Sequence, residues 1–434
     1  MTPTFRLLAL ATGCSFLAVG FVCLPSLTPA WAFIGAACLG AVLIDAFRLT
    51  WSPPLDIDRQ LPSRLALAQP TEVGLTLRNP GPYPVQIDVF DGIPQSATAD
   101  LLPWSGSIPP QSEIRILYQI KLLKRGEAIF GPVQIRRLSP FGFWSHLSHY
   151  LAPETIRVYP NYEPVIQFAL LAMLHRENPL GIVRRPRPGS SRDFHQLRDY
   201  RHGDPLSQID WKASSRRQLL ISRDFQEQRN QSVVFMLDTG RRMRALDNGS
   251  PQFDHVLNAI LLVAYVALRQ GDQIAVKSFG GSDRWLPPMK GSHAMPVLLN
   301  HLYDYQTTPS PSDFSAAVEQ LMARQRRRSL IILLTNLRGE DGNELIPAIQ
   351  ALNSRHLVLL ASMRETAAQH AFAEPVRSFE SALRFLAADL YLKERREILA
   401  NLGAAGILTL DSTAGDFPVA LANCYVDIHI AGRL

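Results

Sequence analysis

The side chains that could do chemistry gather in one stretch, Gly189 to Asp238. Ser190, Ser191, Asp193, His195 and Asp199 supply the residue types of a nucleophile, a base and an orienting carboxylate. Acyl transfer by such a set needs its serine on a strained turn, and no Gly-x-Ser-x-Gly elbow is present to expose one. Asp193, His195, Asp204 and Asp210 are the types that hold a divalent cation for hydrolysis. Arginines are scattered among them, so carboxylate–guanidinium pairing competes with metal binding. His146 and His149 form a second candidate ligand pair, but no third and fourth partner follows at nearby spacing. The chain contains neither a P-loop nor a dinucleotide-binding glycine pattern, which excludes the common nucleotide-enzyme frames.

The elements that must position these residues begin with a charged, turn-rich run. Gly203-Asp204-Pro205 marks a bend, Ile209-Asp210-Trp211-Lys212 follows, and the stretch ends in an apolar strand from Ser232 to Leu237. The three-residue spacing of Phe194, Leu197 and Tyr200 predicts a short helix that buries one side. Asp193, Arg198, Asp199, Arg201 and Asp204 then face out or pair with one another. Trp211 is predicted as a core anchor, with Asp210 and Lys212 flanking it outward. Upstream, Arg184, Arg185 and Arg187 alternate with prolines in an exposed, stiffened loop. The whole stretch resembles the core signature of domain-of-unknown-function family 58, in which such a run feeds the first strand of a von Willebrand factor A-like domain. Lys124-Arg125-Gly126-Glu127 through Ser139-Pro140-Phe141-Gly142-Phe143-Trp144 is similar to that family's sandwich ending. The family has no established activity, so the resemblance implies a fold more than a reaction.

Beyond the signature, residues 231–434 alternate strand and helix. The unbroken apolar run Val233–Leu237 reads as a strand buried on both faces. The segments 274–279, 330–334, 357–360 and 407–410 are further strands, between helices such as 253–268, 313–323 and 379–399. The pattern predicts a doubly wound, Rossmann-type parallel sheet, with ligands approaching the loops that begin at Asp238 and Thr335.

Metal-binding von Willebrand A-like domains place Asp-x-Ser-x-Ser, a threonine and an aspartate on three such loops. Here the first loop reads Asp238-Thr239-Gly240-Arg241-Arg242, the second offers Ser312, and the third carries Asn336. Gly240 supplies no ligand, and Arg242 puts a cation where a hydroxyl belongs. A guanidinium ~6 Å from a divalent ion costs about 5 kcal/mol at an effective dielectric near 20. The expectation is a cluster with no metal or weak metal binding, and an Asp238 paired with Arg241, Arg242 or a partner's arginine.

The N-terminal residues 1–51 carry two uncharged runs, with spans expected at about 6–24 and 28–48. Arg6 precedes the hairpin, Arg48, Arg59 and Arg64 follow it, and the connector between the runs has no charge, which predicts a membrane hairpin with both termini and the soluble body in the cytoplasm of a bacterium. Asp45 is expected to pair with Arg48 at the interface. The competing assignment is a signal peptide cut after Ala30-Trp31-Ala32. Residues 52–162 switch to period two, as in Val73, Leu75, Leu77 and in Ile114, Ile116, Tyr118, Ile120. Proline- and glycine-rich turns between such runs predict an immunoglobulin-like antiparallel β-sandwich. Residues 163–230 form the signature segment, expected to pack on the C-terminal domain.

A formal net charge of +6 suits an anionic membrane face or an acidic partner, but most of the arginine runs read as solvated loops and helix ends. Nucleic-acid binding lacks interleaved aromatics and a motif. The expected function is that of a non-enzymatic, membrane-tethered interaction protein without a cofactor. Its interaction residues are Arg184, Arg185, Arg187, Asp204, Asp210, Trp211, Asp238, Arg241 and Arg242. The resemblance implies a MoxR-type AAA+ ATPase as the partner, in chaperone-like assembly of other complexes. The alternative is a metal-dependent hydrolase built on the carboxylates of the signature.

Overall fold

The computed structural model describes residues 1–22, 28–62, 64–160, 194–201, 209–225, 231–247, 250–338 and 342–433. The chain divides into two compact units, Met1–Asn161 and Tyr162–Leu434.

The first unit opens with strand β1 (Thr2–Pro3) and helices α1 (Phe5–Val22) and α2 (Thr28–Trp51), which lie against each other. Both helices are apolar around their circumference, a pattern that suits lipid better than a one-sided core. Among the described residues one helix is long and apolar enough to cross a membrane, at Ala32–Trp51, with a mean hydropathy of 1.8. The apolar part of the first helix, Phe5–Val19, is shorter. Asp45 does not pair with Arg48. It is fully buried and accepts hydrogen bonds from the Ser139 hydroxyl and the Phe141 and Phe143 backbone N–H groups. Arg48 instead lies 5.4 Å from the Tyr83 ring centroid. Proximity on one helix face suggested the ion pair, but the loop supplies better-aimed donors.

Eleven strands follow: β2 (Asp56–Gln60), β3 (Leu65–Ala66), β4 (Thr71–Asn79), β5 (Val85–Phe90), β6 (Ala97–Ala99), β7 (Trp104–Ile108), β8 (Ser112–Leu122), β9 (Gly126–Phe130), β10 (Val133–Leu138), β11 (Trp144–Tyr150) and β12 (Glu154–Tyr159). They form sheets of order β1-β11-β10-β5-β7, β2-β4-β8-β6 and β3-β12-β9. All pairings are antiparallel except β3 with β12. The expected alternation is what builds the core: Val73, Leu75, Leu77, Ile87, Val89, Ile116, Tyr118 and Ile120 point inward and are buried.

The second unit contains β13 (Phe194–Asp199), α3 (Trp211–Arg217), β14 (Ile221–Phe225), β15 (Ser232–Asp238), β16 (Leu246–Asp247), β17 (Ser250–Pro251), α4 (Gln252–Gln270), β18 (Gln273–Phe279), β19 (Trp285–Met289), α5 (Ala294–Leu302), α6 (Phe314–Arg324), β20 (Leu330–Leu334), α7 (Gly342–Asn353), β21 (Leu357–Arg364), α8 (Thr366–Ala373), α9 (Phe379–Ala404), β22 (Leu408–Thr413) and α10 (Phe417–Ile430). The main sheet has the order β19-β18-β15-β20-β21-β22, with only the β18–β19 pair antiparallel. Counted along the chain this is 3-2-1-4-5-6, the doubly wound order, and it reverses direction beside β15. Val234, Met236, Ile331 and Leu333 pack against α6, α7 and the end of α9, while α4 and α10 pack together.

The expected helix at Phe194–Tyr200 is instead strand β13, paired antiparallel with β14. Two three-residue steps cannot define a helical face once a partner strand offers a ladder.

Candidate functional site

The side chain that organises the carboxyl ends of the strands is Asp238, which is fully buried. Strands β15 and β20 are paired with Leu237 opposite Leu334, so Asp238 and Thr335 leave the sheet side by side. One Asp238 oxygen accepts the Thr335 hydroxyl at 2.6 Å. The other accepts the Ser312 hydroxyl at 2.5 Å and the Gly240 N–H at 2.8 Å. Ser312 is delivered by the loop ahead of α6, whose first turn is capped by Asp313 through the Ala316 N–H. Thr239 extends the joint: its hydroxyl donates to the Phe279 carbonyl at 2.7 Å and accepts the Ser282 N–H at 3.1 Å. Three neutral donors therefore satisfy one carboxylate and tie the loops after β15 and β20 to the loop before α6.

The geometry does not fit an octahedral oxygen cage. A β-carbon at residue 240 would lie 2.2 Å from the Ser312 hydroxyl oxygen. One at Gly280, where φ is +83°, would lie 2.6 Å from that oxygen and 2.8 Å from the Asp238 carboxylate. A side chain at residue 240 or 280 would therefore run into the hydrogen-bonded pair of Ser312 and Asp238. Among the described residues, no three His, Cys, Asp or Glu side chains converge as a metal site.

The arginine partners expected for Asp238 are elsewhere. Arg242 stacks over Phe314, 5.1 Å from the ring centroid, and Arg241 is exposed. The third-loop residue, Asn336, donates to Gln252 at 3.0 Å and accepts from Arg395 at 3.3 Å. Arg395 is buried inside α9 and also donates to the Leu337 and Met363 carbonyls, Ser362 and Asp411. It thereby holds the ends of β20, β21 and β22 together.

Two residues of this construction escaped sequence reasoning. Thr335 had a signal, a hydroxyl immediately after an apolar strand and beside the singled-out Asn336. Arg395 had none, because it lies in a run, Lys393-Glu394-Arg395-Arg396-Glu397, that reads as a solvated helix face.

In the signature segment, Asp210 is the N-cap of α3 and accepts the Lys212 and Ala213 N–H groups at 3.1 and 3.0 Å. This is a helix-starting role, consistent with an Asp followed by a short helical run. Trp211 is 66% exposed, so it is not the core anchor its size suggested. The buried residues around α3 are Ile209, Ser214 and Ile221. Asp199 ends β13 and is exposed. Arg184, Arg185, Arg187, Ser190, Ser191, Asp193 and Asp204 lie outside the described residues, as does the side chain of His195. His146 and His149 both fall on β11, where a separation of three residues points them to opposite faces. Burial, with Arg137 nearby, holds the His146 imidazole below its usual pKa.

A further feature appears on α9. Phe379, Leu383, Leu386 and Leu390, three and four residues apart, are all exposed, and Val376 is exposed just ahead of the helix. Those on the helix form one apolar stripe, bordered by Glu380, Arg384, Asp389 and Lys393. Glu380 and Arg384 pair along the helix at 2.6 Å.

Comparison with known proteins places part of the chain. A family model described as a protein of unknown function, DUF58, matches residues 196–370. An uncharacterized protein, YeaD of Bacillus subtilis (strain 168), is 23% identical over 242 residues, which cover 53% of this chain and 57% of that protein. The match thus spans less than two thirds of that relative. Among solved structures, the part of Escherichia coli alpha-2-macroglobulin from domain MG7 to its C-terminus aligns with a TM-score of 0.22 at 16% identity. That alignment covers 25% of this chain and 17% of the other. PapD-like domain 7 of human CEP192 aligns with a TM-score of 0.19 at 11% identity, over 25% of this chain and 86% of that one.

Proposed function

We propose that this protein is a non-enzymatic, membrane-anchored interaction protein, and that α9 of its second unit presents the surface on which a cytosolic partner docks. The observation that carries this reading is the exposed stripe Phe379-Leu383-Leu386-Leu390. Its spacing matches the seam of a helix that packs on another helix, and a contiguous exposed apolar stripe marks an interaction surface. Glu380, Arg384, Asp389 and Lys393 along its borders carry equal numbers of both signs. That balance favours an amphipathic helix of a protein over an anionic lipid surface. Asp238, buried in its cluster, acts here as a joint of the fold and not as a contact.

The sheet order with its antiparallel third strand, and hydroxyls meeting an aspartate at the first strand's end, support a von Willebrand factor A-like assignment for the second unit. The apolar α1 and α2 and the flanking Arg6, Arg48, Arg59 and Arg64 support a reading with two spans and with both ends and the soluble units in the bacterial cytoplasm. The partner is a MoxR-type AAA+ ATPase, a proposal that comes from the family resemblance.

The test is a pull-down of detergent-solubilised full-length protein from its own cells. It runs beside a Leu383→Asp/Leu386→Asp variant, the triple Arg184/Arg185/Arg187→Ala variant and Asp238→Ala as a folding control. Recovery of an ATPase that the α9 variant no longer captures supports the reading. Undiminished capture by that variant would move the surface elsewhere, and metal-dependent hydrolysis by the purified protein would replace the adaptor with an enzyme.

A further inference from the structure

Three segments of the first unit come to one level. Strand β1 pairs with β11, with Thr2 opposite Ser145 and Pro3 opposite Trp144, and the Thr4 N–H donates to the Phe143 carbonyl at 3.0 Å. Asp45 of α2 receives the Phe141 and Phe143 N–H groups at 2.9 and 3.1 Å, and the Trp144 indole donates to the Val42 carbonyl at 3.1 Å. The turn Ser139–Trp144 is thus bonded both to the root of α1 and to α2 between Val42 and Asp45.

Helix lengths locate that level. From Thr28 to Asp45 and from Phe5 to Val22 the rise is about 26 Å each. Both are close to the ~30 Å thickness of a hydrocarbon core. The other placement, with lipid reaching Trp51, would put Asp45 about 9 Å inside the hydrocarbon. It would draw the turn's backbone groups in with it, and irregular backbone exposed to lipid does not occur at that depth. The boundary therefore falls at Val42–Asp45.

The side chains around this boundary suit the headgroup layer. Phe5 and Phe141 are exposed beside it, and Phe47 and Trp51 stack on α2 with ring centroids 4.9 Å apart. Trp is enriched at this depth, and Phe side chains can bury in the boundary between headgroups and acyl chains. Arg6 sits against the turn, close enough that a β-carbon on Gly142 would lie 2.8 Å from its guanidinium. Together with Thr4, Phe5, Gln86, Ser139 and Gly142 it lines a half-open cleft of about 330 Å³. Leu138 and Pro140 complete its lining, so Arg6 is a cation in a mostly apolar cleft at this level, placed to meet a lipid phosphate.

We propose that the sandwich is seated on the bilayer surface through the turn Ser139–Trp144, with Phe141 in the acyl–headgroup boundary and Arg6 on a phospholipid phosphate. The proposal rests on the membrane-anchored reading above. It assigns the sandwich a fixed seat at the membrane, where the sequence left its contacts open.

The experiment uses the full chain with its cysteines replaced by alanine, carrying one environment-sensitive fluorophore at residue 17 or at residue 141. The protein is reconstituted in phosphatidylcholine vesicles, with or without phosphatidylglycerol, that contain lipids brominated near the headgroup end of the acyl chain. Residue 17 lies within α1 and reports insertion itself. Expected is at least a twofold loss of emission at both positions. At residue 141 the loss should be larger with phosphatidylglycerol, and Arg6→Gln should reduce that increment. Quenching at 17 without quenching at 141 overturns the seat and leaves the anchor standing. Quenching at neither position overturns the anchor and the seat together. Quenching at 141 that is indifferent to lipid charge and to Arg6→Gln removes the phosphate contact from the proposal.

Discussion

Asp45 in the first unit and Asp238 in the second are both fully buried carboxylates, and each lies within four residues of an arginine in sequence. Neither uses it. Asp45 takes a serine hydroxyl and two backbone N–H groups from a turn about a hundred residues away. Asp238 takes a serine hydroxyl, a threonine hydroxyl and one backbone N–H. The difference lies in the surroundings. The donors to Asp238 that come from Ser312, Thr335 and Gly240 are buried, whereas Phe141 and Phe143 are only partly covered. Burying an ion pair costs more solvation than neutral donors do, and several aimed dipoles can hold one carboxylate while joining distant segments. In both places, then, a buried aspartate joins segments far apart in the chain.

The sharpest break of this comparison is Asp238→Ala. It strands two buried hydroxyls and an N–H, and a loss of about 4 kcal/mol is expected from charge-assisted hydrogen bonds worth about 1.5–3 kcal/mol each. Hydrogen exchange on the full-length protein should show faster exchange across 232–238 and 330–334, with the sandwich unaffected. Asp45→Ala comes next, at about 2 kcal/mol, because water can replace the bonds to the partly covered N–H groups. Exchange should rise at 139–144 and leave the second unit unchanged. A larger loss for Asp45 than for Asp238 would reverse the ranking and refute the role given to surrounding burial.

The smallest effect is a pH response that also separates the units. Burial holds the His255, His301 and His356 imidazoles below their usual pKa, with Arg284 adding to the effect at His301 and Arg355 at His356. Such bases bind fewer protons folded than unfolded. Their contribution is intact above the unfolded pKa of about 6.5 and is lost as pH falls from there through the folded values. The first unit has His146 shifted the same way. Urea unfolding followed by hydrogen exchange at pH 7 and pH 5.5 should therefore show the second unit weakening first, and His356→Leu should blunt that response. Equal weakening of both units would refute the assignment.

The parts of the fold that sequence made legible are those where one period runs long enough to be unambiguous. Strand β8 alternates in burial over its whole length, strand β4 does so apart from the buried Gly74, and Val233–Leu237 has no polar interruption. Strand β13 was misread because Phe194, Leu197 and Tyr200 fit a helix only as long as β14 is ignored. At the site, the types were legible and the partners were not. Asp238, Ser312 and Asn336 stood out by chemistry, but which hydroxyl meets which oxygen depends on a strand register set across the sheet. Trp211 shows the same limit in reverse, since its size suggests burial and its place at the start of α3 leaves it exposed. The α9 stripe was present in the spacing, yet only the packed neighbours reveal that nothing within the described residues covers it.

The turn at Ser139–Trp144 has a mechanical consequence. It is bonded to the root of one helix and to the side of the other, so the sandwich has no hinge at which to shed a change in helix tilt. Bilayers of different thickness tilt their helices to different degrees. Strand β8 alone is 11 residues long, about 36 Å at ~3.3 Å per residue. In the seating proposed above, a lever of that length standing along the bilayer normal would turn a tilt of about 10° into a sideways displacement of about 6 Å at its far end. Membrane thickness would then be felt as movement well above the lipid.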